Sequence, residues 1–258
     1  MSPVDAISLL IPLSFFALLA LEAIVPKRMA MPDRRGWRFV GLGFFVMMGI
    51  IQGAGPMLVP APIVERYRLL DLSWLGPIGG FVVGWALYTL VGYAWHRANH
   101  SVPWLWRTFH QMHHAPKRLD IASSTIFHPA EMVAYTVIGL VVTVFVLGLD
   151  PIAAALVGTW GAFVGIFQHM NARTPRWIGP LLQRPESHGL HHDVHGPVGN
   201  YADLPLWDML FGTYHNPATF DGEVGFTGGN DRRWLDMLVF KDVSNGAMGQ
   251  PVRTPVEA

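Results

Sequence analysis

Five long apolar runs decide what this chain can fold into. They are Asp5–Val25, Phe39–Val59, Trp74–Trp95, Glu131–Leu149 and Ile152–Phe167. A helix crosses the hydrocarbon core of a bilayer with about 20 mostly apolar residues. Inside lipid every backbone amide must find its partner within the protein, which leaves helices as the natural reading of such runs. The fifth run is short, and Gln168 to Asn171 extend it into the interface. Gly148-Leu149-Asp150-Pro151 is a tight break, so the last two runs form a helical hairpin. Composition agrees: 51% of the 258 residues are hydrophobic and only 14% are charged, unlike an ordinary soluble domain. The expected fold is all-α, a membrane helical bundle of about five spanning segments with a histidine-rich cytoplasmic cap. We read 1–258 as one domain: an N-terminal membrane hairpin (1–73), a core (74–217), and a C-terminal cap and tail (218–258). The first run carries Pro12 and Glu22 but lacks the basic leader of a signal peptide, so it reads as a retained membrane helix.

Basic residues set the expected orientation. Lys27, Arg28, Arg34, Arg35 and Arg38 lie between the first two runs, against only Arg66 and Arg68, offset by Glu65 and Asp71, between the next two. Positive loops stay in the cytoplasm. This puts the N-terminus outside, residues 96–130 inside, the 148–151 turn outside, and everything after about 168 inside. Gly80-x-x-x-Gly84 and Gly161-x-x-x-Gly165 suit close helix packing. Glycine is also frequent in membrane helices at large, and that is the reading taken for both. Residues 171–258 are more polar and are broken by Pro175, Pro180, Pro185, Pro197 and Pro205, which predicts short helices and loops. Within them, Arg232 to Lys241 has a basic edge and an apolar face. That stretch suits the bilayer surface, and packing on the cap suits it equally. From Ser244 onward there is no periodicity, and the tail reads as disordered.

The histidines carry the chemistry. Three clusters read His96-x-x-x-His100, His110-x-x-His113-His114 and His188-x-x-His191-His192. Residues three and four apart are neighbours on a helix, so each cluster can aim two or three imidazoles at one point. Neutral imidazole is a common metal ligand. Eight are too many for one ion and suit a two-metal centre. By the charge argument all three clusters emerge on the cytoplasmic face. His169, at the end of the fifth run, is level with them and joins as a ninth ligand. His128, His195, Asn171, Glu131 and Asp193 are candidates for metal contact or for hydrogen bonds to the ligands. His128 serves equally to cap the fourth segment, and His215 reads as an ordinary loop residue. Ligating imidazoles usually donate their second N–H to a carboxylate or carbonyl. Glu131, Glu186, Asp193, Asp203 and Asp208 are near in sequence and qualify.

Net charge is zero, which gives a nucleic acid no electrostatic footprint. The absence of cysteine excludes thiolate-held clusters and haem as well as disulfides. A di-haem cytochrome would hold its paired histidines within the bilayer, and a metal transporter would want ionisable residues along its spans. Neither pattern is present. Imidazole suits zinc, copper, iron and nickel alike, so ligand type alone does not choose the metal.

The arrangement closely resembles the fatty acid hydroxylase/sterol desaturase superfamily of integral membrane di-iron enzymes. Trp104-Leu105-Trp106-Arg107-Thr108-Phe109-His110-Gln111-Met112-His113-His114 is similar to that family's second box with its aromatic lead-in. Phe127-His128-Pro129-Ala130-Glu131 resembles its HP-x-E element, and His169-Met170-Asn171 its H-x-N element. Ser187-His188-Gly189-Leu190-His191-His192 resembles the third box. Asn200-Tyr201-Ala202-Asp203 and Trp207 to Tyr214 resemble the closing segment. Together these span about residues 85–217 in the right order. The first two runs and the tail carry no such signature. The resemblance implies two iron ions (zinc being the alternative as purified) held by the clustered histidines, with O2 as co-substrate. It implies hydroxylation of an unactivated C–H bond in a lipid that enters from the bilayer. Desaturation on the same site is the alternative outcome. A non-catalytic metal-binding membrane protein is the alternative of another class. Some relatives carry a fused cytochrome b5, whose His-Pro-Gly-Gly motif does not occur here. An external electron donor is therefore expected, a ferredoxin or a cytochrome with its reductase. Arg97, Arg107, Lys117 and Arg118 could receive it, though a solvated positive loop explains them as well.

Overall fold

The computed structural model describes residues 1–25, 27–195 and 199–244; the tail beyond 244 and Pro197 lie outside the described residues. Helix dominates, and the one β feature among the described residues is a single antiparallel bridge between Asp193 and Val224. The first span consists of α1 (Pro3–Ser8) and α2 (Leu10–Ile24). It breaks at Leu9 because Pro12 has no N–H to give the Ser8 carbonyl. The second is α3 (Trp37–Met57), followed by the short α4 (Ala61–Tyr67). The third is α5 (Gly76–Ser101), preceded by a 3-10 turn at Ser73–Leu75. A chain of short pieces follows: α6 (Pro103–Leu105), a π-helical stretch at Trp106–His110, and α7 (Gln111–His114). The fourth span is α8 (Pro129–Leu140), continued by a π-helical turn at Val141–Val146. The last long helix is α9 (Pro151–Phe167). The cap adds α10 (Pro185–His191), α11 (Leu206–Phe211) and α12 (Trp234–Leu238).

Among the described residues, four helices are long and apolar enough to cross a membrane: Pro3–Ile24, Trp37–Met57, Ser73–Ser101 and Pro129–Val146. The chain is an integral membrane protein. The fifth expected segment is the shorter apolar helix α9, of 17 residues. Its hairpin with the fourth span is present. Asp150 caps α9 by accepting the Ile152 N–H at 2.8 Å, and Pro151 fills the first helical position. The third helix outlasts its apolar run. Charge appears after Trp95, but the helix continues to Ser101 and stops only where Pro103 forces Val102 into an extended conformation. Those extra turns carry His96 and His100.

Gly80 and Gly84 do more than reflect the frequency of glycine in membrane helices. A Cβ at Gly80 would stand 2.7 Å from the Ala153 Cβ, and one at Gly84 would stand 2.7 Å from Leu149 Cδ1 and 2.9 Å from Val157 Cγ2. The first motif is therefore the close contact of α5 with α9. The second motif is looser: a Cβ at Gly161 would stand at ordinary contact distance from Tyr88 and Trp85 of α5, and one at Gly165 would meet nothing within 4 Å.

The N-terminal hairpin is clamped to the loop that follows α7. Glu22 accepts backbone N–H groups from Ile121 at 3.1 Å and from Asn171 at 2.7 Å. Trp37 donates its indole N–H to Asp120 at 3.0 Å, and Thr125 donates to the Gly41 carbonyl at 3.0 Å. These bonds hold residues 120–126 and 169–171 in register. Overpacking a close contact costs about 1–3 kcal/mol. Gly84→Leu is accordingly expected to lower the unfolding midpoint in detergent, and Gly158→Leu, at a glycine with open space beside it, to leave it unchanged.

Candidate metal centre

Nine of the twelve histidines come together in two groups. His96, His100, His110, His114 and His191 form one; His113, His169, His188 and His192 form the other. Within each group the ligand atoms lie within 4.8 Å of one another. The groups abut, with the His114 and His192 rings stacked at 4.0 Å and 14°.

Helix geometry explains the partition and corrects the expectation that a whole cluster aims at one point. Successive residues diverge by about 100° around a helix axis, whereas residues four apart nearly align. The pairs His96/His100, His110/His114 and His188/His192 therefore stay together. His113 and His191, each beside a member of such a pair, swing across to the other group. The second box gives two donors to one group and one to the other, and the third box does the reverse. The π-helical stretch at Trp106–His110 widens the turn that leads into the second box, a feature frequent at functional sites.

Five of the nine rings are oriented through Nδ1. His96 donates to the Tyr201 carbonyl, His169 to Gly165 and His191 to Gly199, all at 2.7 Å. His113 donates to the Ile126 carbonyl at 3.3 Å, and its ring stacks on Phe127 at 4.1 Å. The His110 Nδ1 lies 2.6 Å from the Glu131 carboxylate, in the first turn of α8. A carbonyl can only accept, so Nδ1 must carry the proton. A neutral ring then keeps a bare lone pair on Nε2. The His113 and His169 Nε2 atoms face each other at 3.1 Å. Both Nδ1 atoms are already committed, so these two lone pairs repel unless a cation lies between them. A proton does not serve. Burial pulls His169 down to about 4 and holds His113 well below the usual imidazole range. Burial, with neighbouring imidazoles, does the same to His110, His114, His188, His191 and His192.

A metal ion fits. Two nitrogens on one ion at about 2.0–2.1 Å are about 2.9 Å apart at a right angle and about 3.3 Å apart at the tetrahedral angle. The Nε2 separations of 3.1 Å (His110–His114), 3.2 Å (His114–His191), 3.1 Å (His169–His188) and 3.0 Å (His188–His192) fall in that interval. The Nε2 atoms of His96 and His100 are buried without a hydrogen-bond partner.

The remaining candidates lie outside both groups. His128 caps α8, accepting the Ala130 N–H at 3.0 Å. His195 is exposed, and its backbone N–H donates to Asp193. Asn171 accepts the N–H groups of Arg28 and Met29 and so pins the first loop. Of the five carboxylates near the clusters in sequence, only Glu131 reaches an imidazole. Glu186 binds Thr174 and Arg184, and Asp203 accepts from Gln168. Asp208 acts one step back: it accepts the Tyr201 and Ala202 N–H groups at 2.9 and 2.8 Å and the Thr213 hydroxyl. That fixes the peptide whose carbonyl holds His96. Burial pushes Asp208 up to about 6.

Comparison with known proteins decides the family. A family model described as fatty acid hydroxylase matches residues 81–213, just over half of the chain. The chain belongs to the fatty acid hydroxylase family. Among similar curated proteins, the ornithine lipid hydroxylase OlsE of Rhizobium tropici is 31% identical over 57% of this chain and 45% of its own length. A cholesterol 25-hydroxylase-like protein of Danio rerio is 31% identical over 50% and 53%. The fatty acid hydroxylase vlmA of a Lecanicillium species is 32% identical over 56% and 44%. The chain thus spans about half the length of the curated relatives it matches. No solved structure matches it. The matched region contains all nine grouped histidines and Glu131, and it leaves out the first two spans.

Two outcomes follow. Replacing a group that hydrogen-bonds a ligand costs roughly 10- to 100-fold in metal affinity, so Glu131→Ala is expected to give up metal to a chelator that much more readily. The metal-free chain is expected to lose stability as pH falls. Histidines buried neutral resist protonation, while the unfolded chain takes protons below about 6.5. Stability is complete above that value and declines toward the folded value of about 4 for His169. Thermal unfolding of the metal-free chain in detergent from pH 8 to pH 5 reads this directly.

Proposed function

We propose that this chain is a membrane-bound di-iron oxygenase that uses O2 to hydroxylate an unactivated C–H bond of a lipid. The observation that carries the reading is the facing of the His113 and His169 lone pairs at 3.1 Å within a set of nine converging imidazoles. His96, His100, His110, His114 and His191 would hold one ion, and His113, His169, His188 and His192 the other. Iron bound there supplies the activation of O2 that no side chain can perform on an alkyl carbon. An all-nitrogen donor set is compatible with iron.

The protein's own residues do the rest. The carbonyls of Ile126, Gly165, Gly199 and Tyr201, together with Glu131, keep the protons of His113, His169, His191, His96 and His110 on Nδ1 and their lone pairs on Nε2. The buried packing of Trp106, Met112 and Ile126 keeps bulk water from the rings, which protects reactive chemistry from side reactions. The relatives are named for ornithine lipid, cholesterol and fatty acid hydroxylation. Their common chemistry is hydroxylation of a lipid, and this favours hydroxylation over desaturation.

The lipid is proposed to enter from the bilayer. The cap presents apolar side chains outward on α11 and around α12, among them Leu210, Leu235 and Val239, which suits a surface resting in the headgroup region. On the charge argument the centre faces the cytoplasm, where a separate ferredoxin or cytochrome would deliver electrons.

The test compares total lipids of cells expressing this chain with those expressing His191→Ala, by high-resolution mass spectrometry. One lipid class is expected to gain one oxygen with the intact chain, and the variant to lose at least about a hundredfold of that product while still accumulating in membranes. Loss of two hydrogens would replace hydroxylation by desaturation. A variant with undiminished product would sink the ligand assignment.

A further inference from the structure

A second feature lies away from the histidines, where the first two spans meet the interface. A cavity of about 560 Å³ opens there, lined by Lys27, Arg34, Arg35, Arg38 and Arg118 over Trp37. A smaller one of about 90 Å³ shares Lys27, Arg38 and Arg118 with it and runs inward to Glu22 and Asn171. Asp33 is the one acid lining the larger cavity. Two of its cations are already balanced: Arg34 pairs with Asp231, and Arg118 pairs with Asp120 at 2.7 Å. Their guanidinium groups lie 5.5 and 5.9 Å from the Trp37 ring. No ion pair among the described residues engages Lys27, Arg35 or Arg38. All three are exposed.

We infer that this cavity binds the headgroup phosphate of an anionic phospholipid. A solvated cytoplasmic loop explains scattered cations, but three that are unpaired among the described residues, Lys27, Arg35 and Arg38, gathered in one cavity beside two paired arginines make a cradle for concentrated negative charge. Lysine and arginine donors are suited to phosphate oxygens. The cavity's position favours a lipid over a soluble anion or a protein. It sits at the first turn of α3, where Phe39 is 80% exposed, and the same helix stays apolar and exposed at Val46 and Ile50. Acyl chains attached to a phosphate in the cavity can run down that face. The cytoplasmic leaflet, where the positive loop belongs, is the anionic one. The bound lipid would brace the loop that Glu22 and Asn171 tie to His169. The inference does not depend on the oxygenase reading.

Native mass spectrometry of the full chain released from detergent micelles tests it. The probes are phosphatidylglycerol, phosphatidylcholine of the same acyl chains, and inorganic phosphate. The chain is expected to retain phosphatidylglycerol in preference to phosphatidylcholine, with one tightly held copy. Arg35→Gln/Arg38→Gln is expected to weaken that binding roughly thirtyfold, from the contribution of each basic residue near an anionic headgroup. Arg66→Gln/Arg173→Gln, which removes two exposed cations elsewhere, is expected to leave it unchanged. Equal retention of the two lipids, or equal losses in the two double variants, would overturn the proposal. Displacement of the lipid by millimolar inorganic phosphate would overturn its lipid part and leave a site for the free anion.

Discussion

The structure depends on fixing one proton per ring. An imidazole has two nitrogens and, when neutral, one hydrogen. Wherever a carbonyl accepts from Nδ1, the lone pair must emerge on Nε2. Four backbone carbonyls and one carboxylate impose that choice here. Burial removes the other escape, protonation, because a desolvated imidazolium is costly. The remaining way to relieve facing lone pairs is a metal cation. The packing that builds the core therefore also creates the demand for the ion.

The supports for those carbonyls are spread over the whole chain. The Tyr201 carbonyl is held by Asp208 through the backbone. The Ile126 carbonyl belongs to a loop clamped from the N-terminal hairpin by Glu22, Trp37 and Gly41. The region that matches the family carries the donors, but part of what aims them comes from spans outside it. Gly189, within the third box, shows the same dependence. A side chain there would run into Arg28 and Phe220, so the first loop and the cap meet against the donor helix.

Much of this was legible in the sequence. Apolar length gave the spans, because a backbone in lipid has no partner but itself. Histidine spacing gave eight of the nine grouped rings, and the place of His169 at the end of the fifth run gave the ninth. What was not legible has physical causes. The partition of each box depends on the 100° between neighbouring residues, which regular spacing conceals when donors three and four apart are treated as one face. The acceptors behind the rings are mostly carbonyls, which every residue has and no side chain announces. Glu131 could be named because a carboxylate does announce itself. Asp208 could be named as well, but its action through the Tyr201 peptide could not. The role of Gly80 and Gly84 in packing depends on what stands opposite, namely Ala153, Leu149 and Val157. Glycine spacing alone carries no trace of that partner.

The crossed contribution of the second and third boxes has a mechanical meaning. Each of these short helices has donors on both sides of a dividing line, two facing one way and one the other. A small twist of either helix about its own axis would tighten one group of nitrogens as it loosened the neighbouring one. The two halves of the centre are thus geared together like a rocker on a pivot. Neither can relax alone, and the phase of two short helices sets the balance between them.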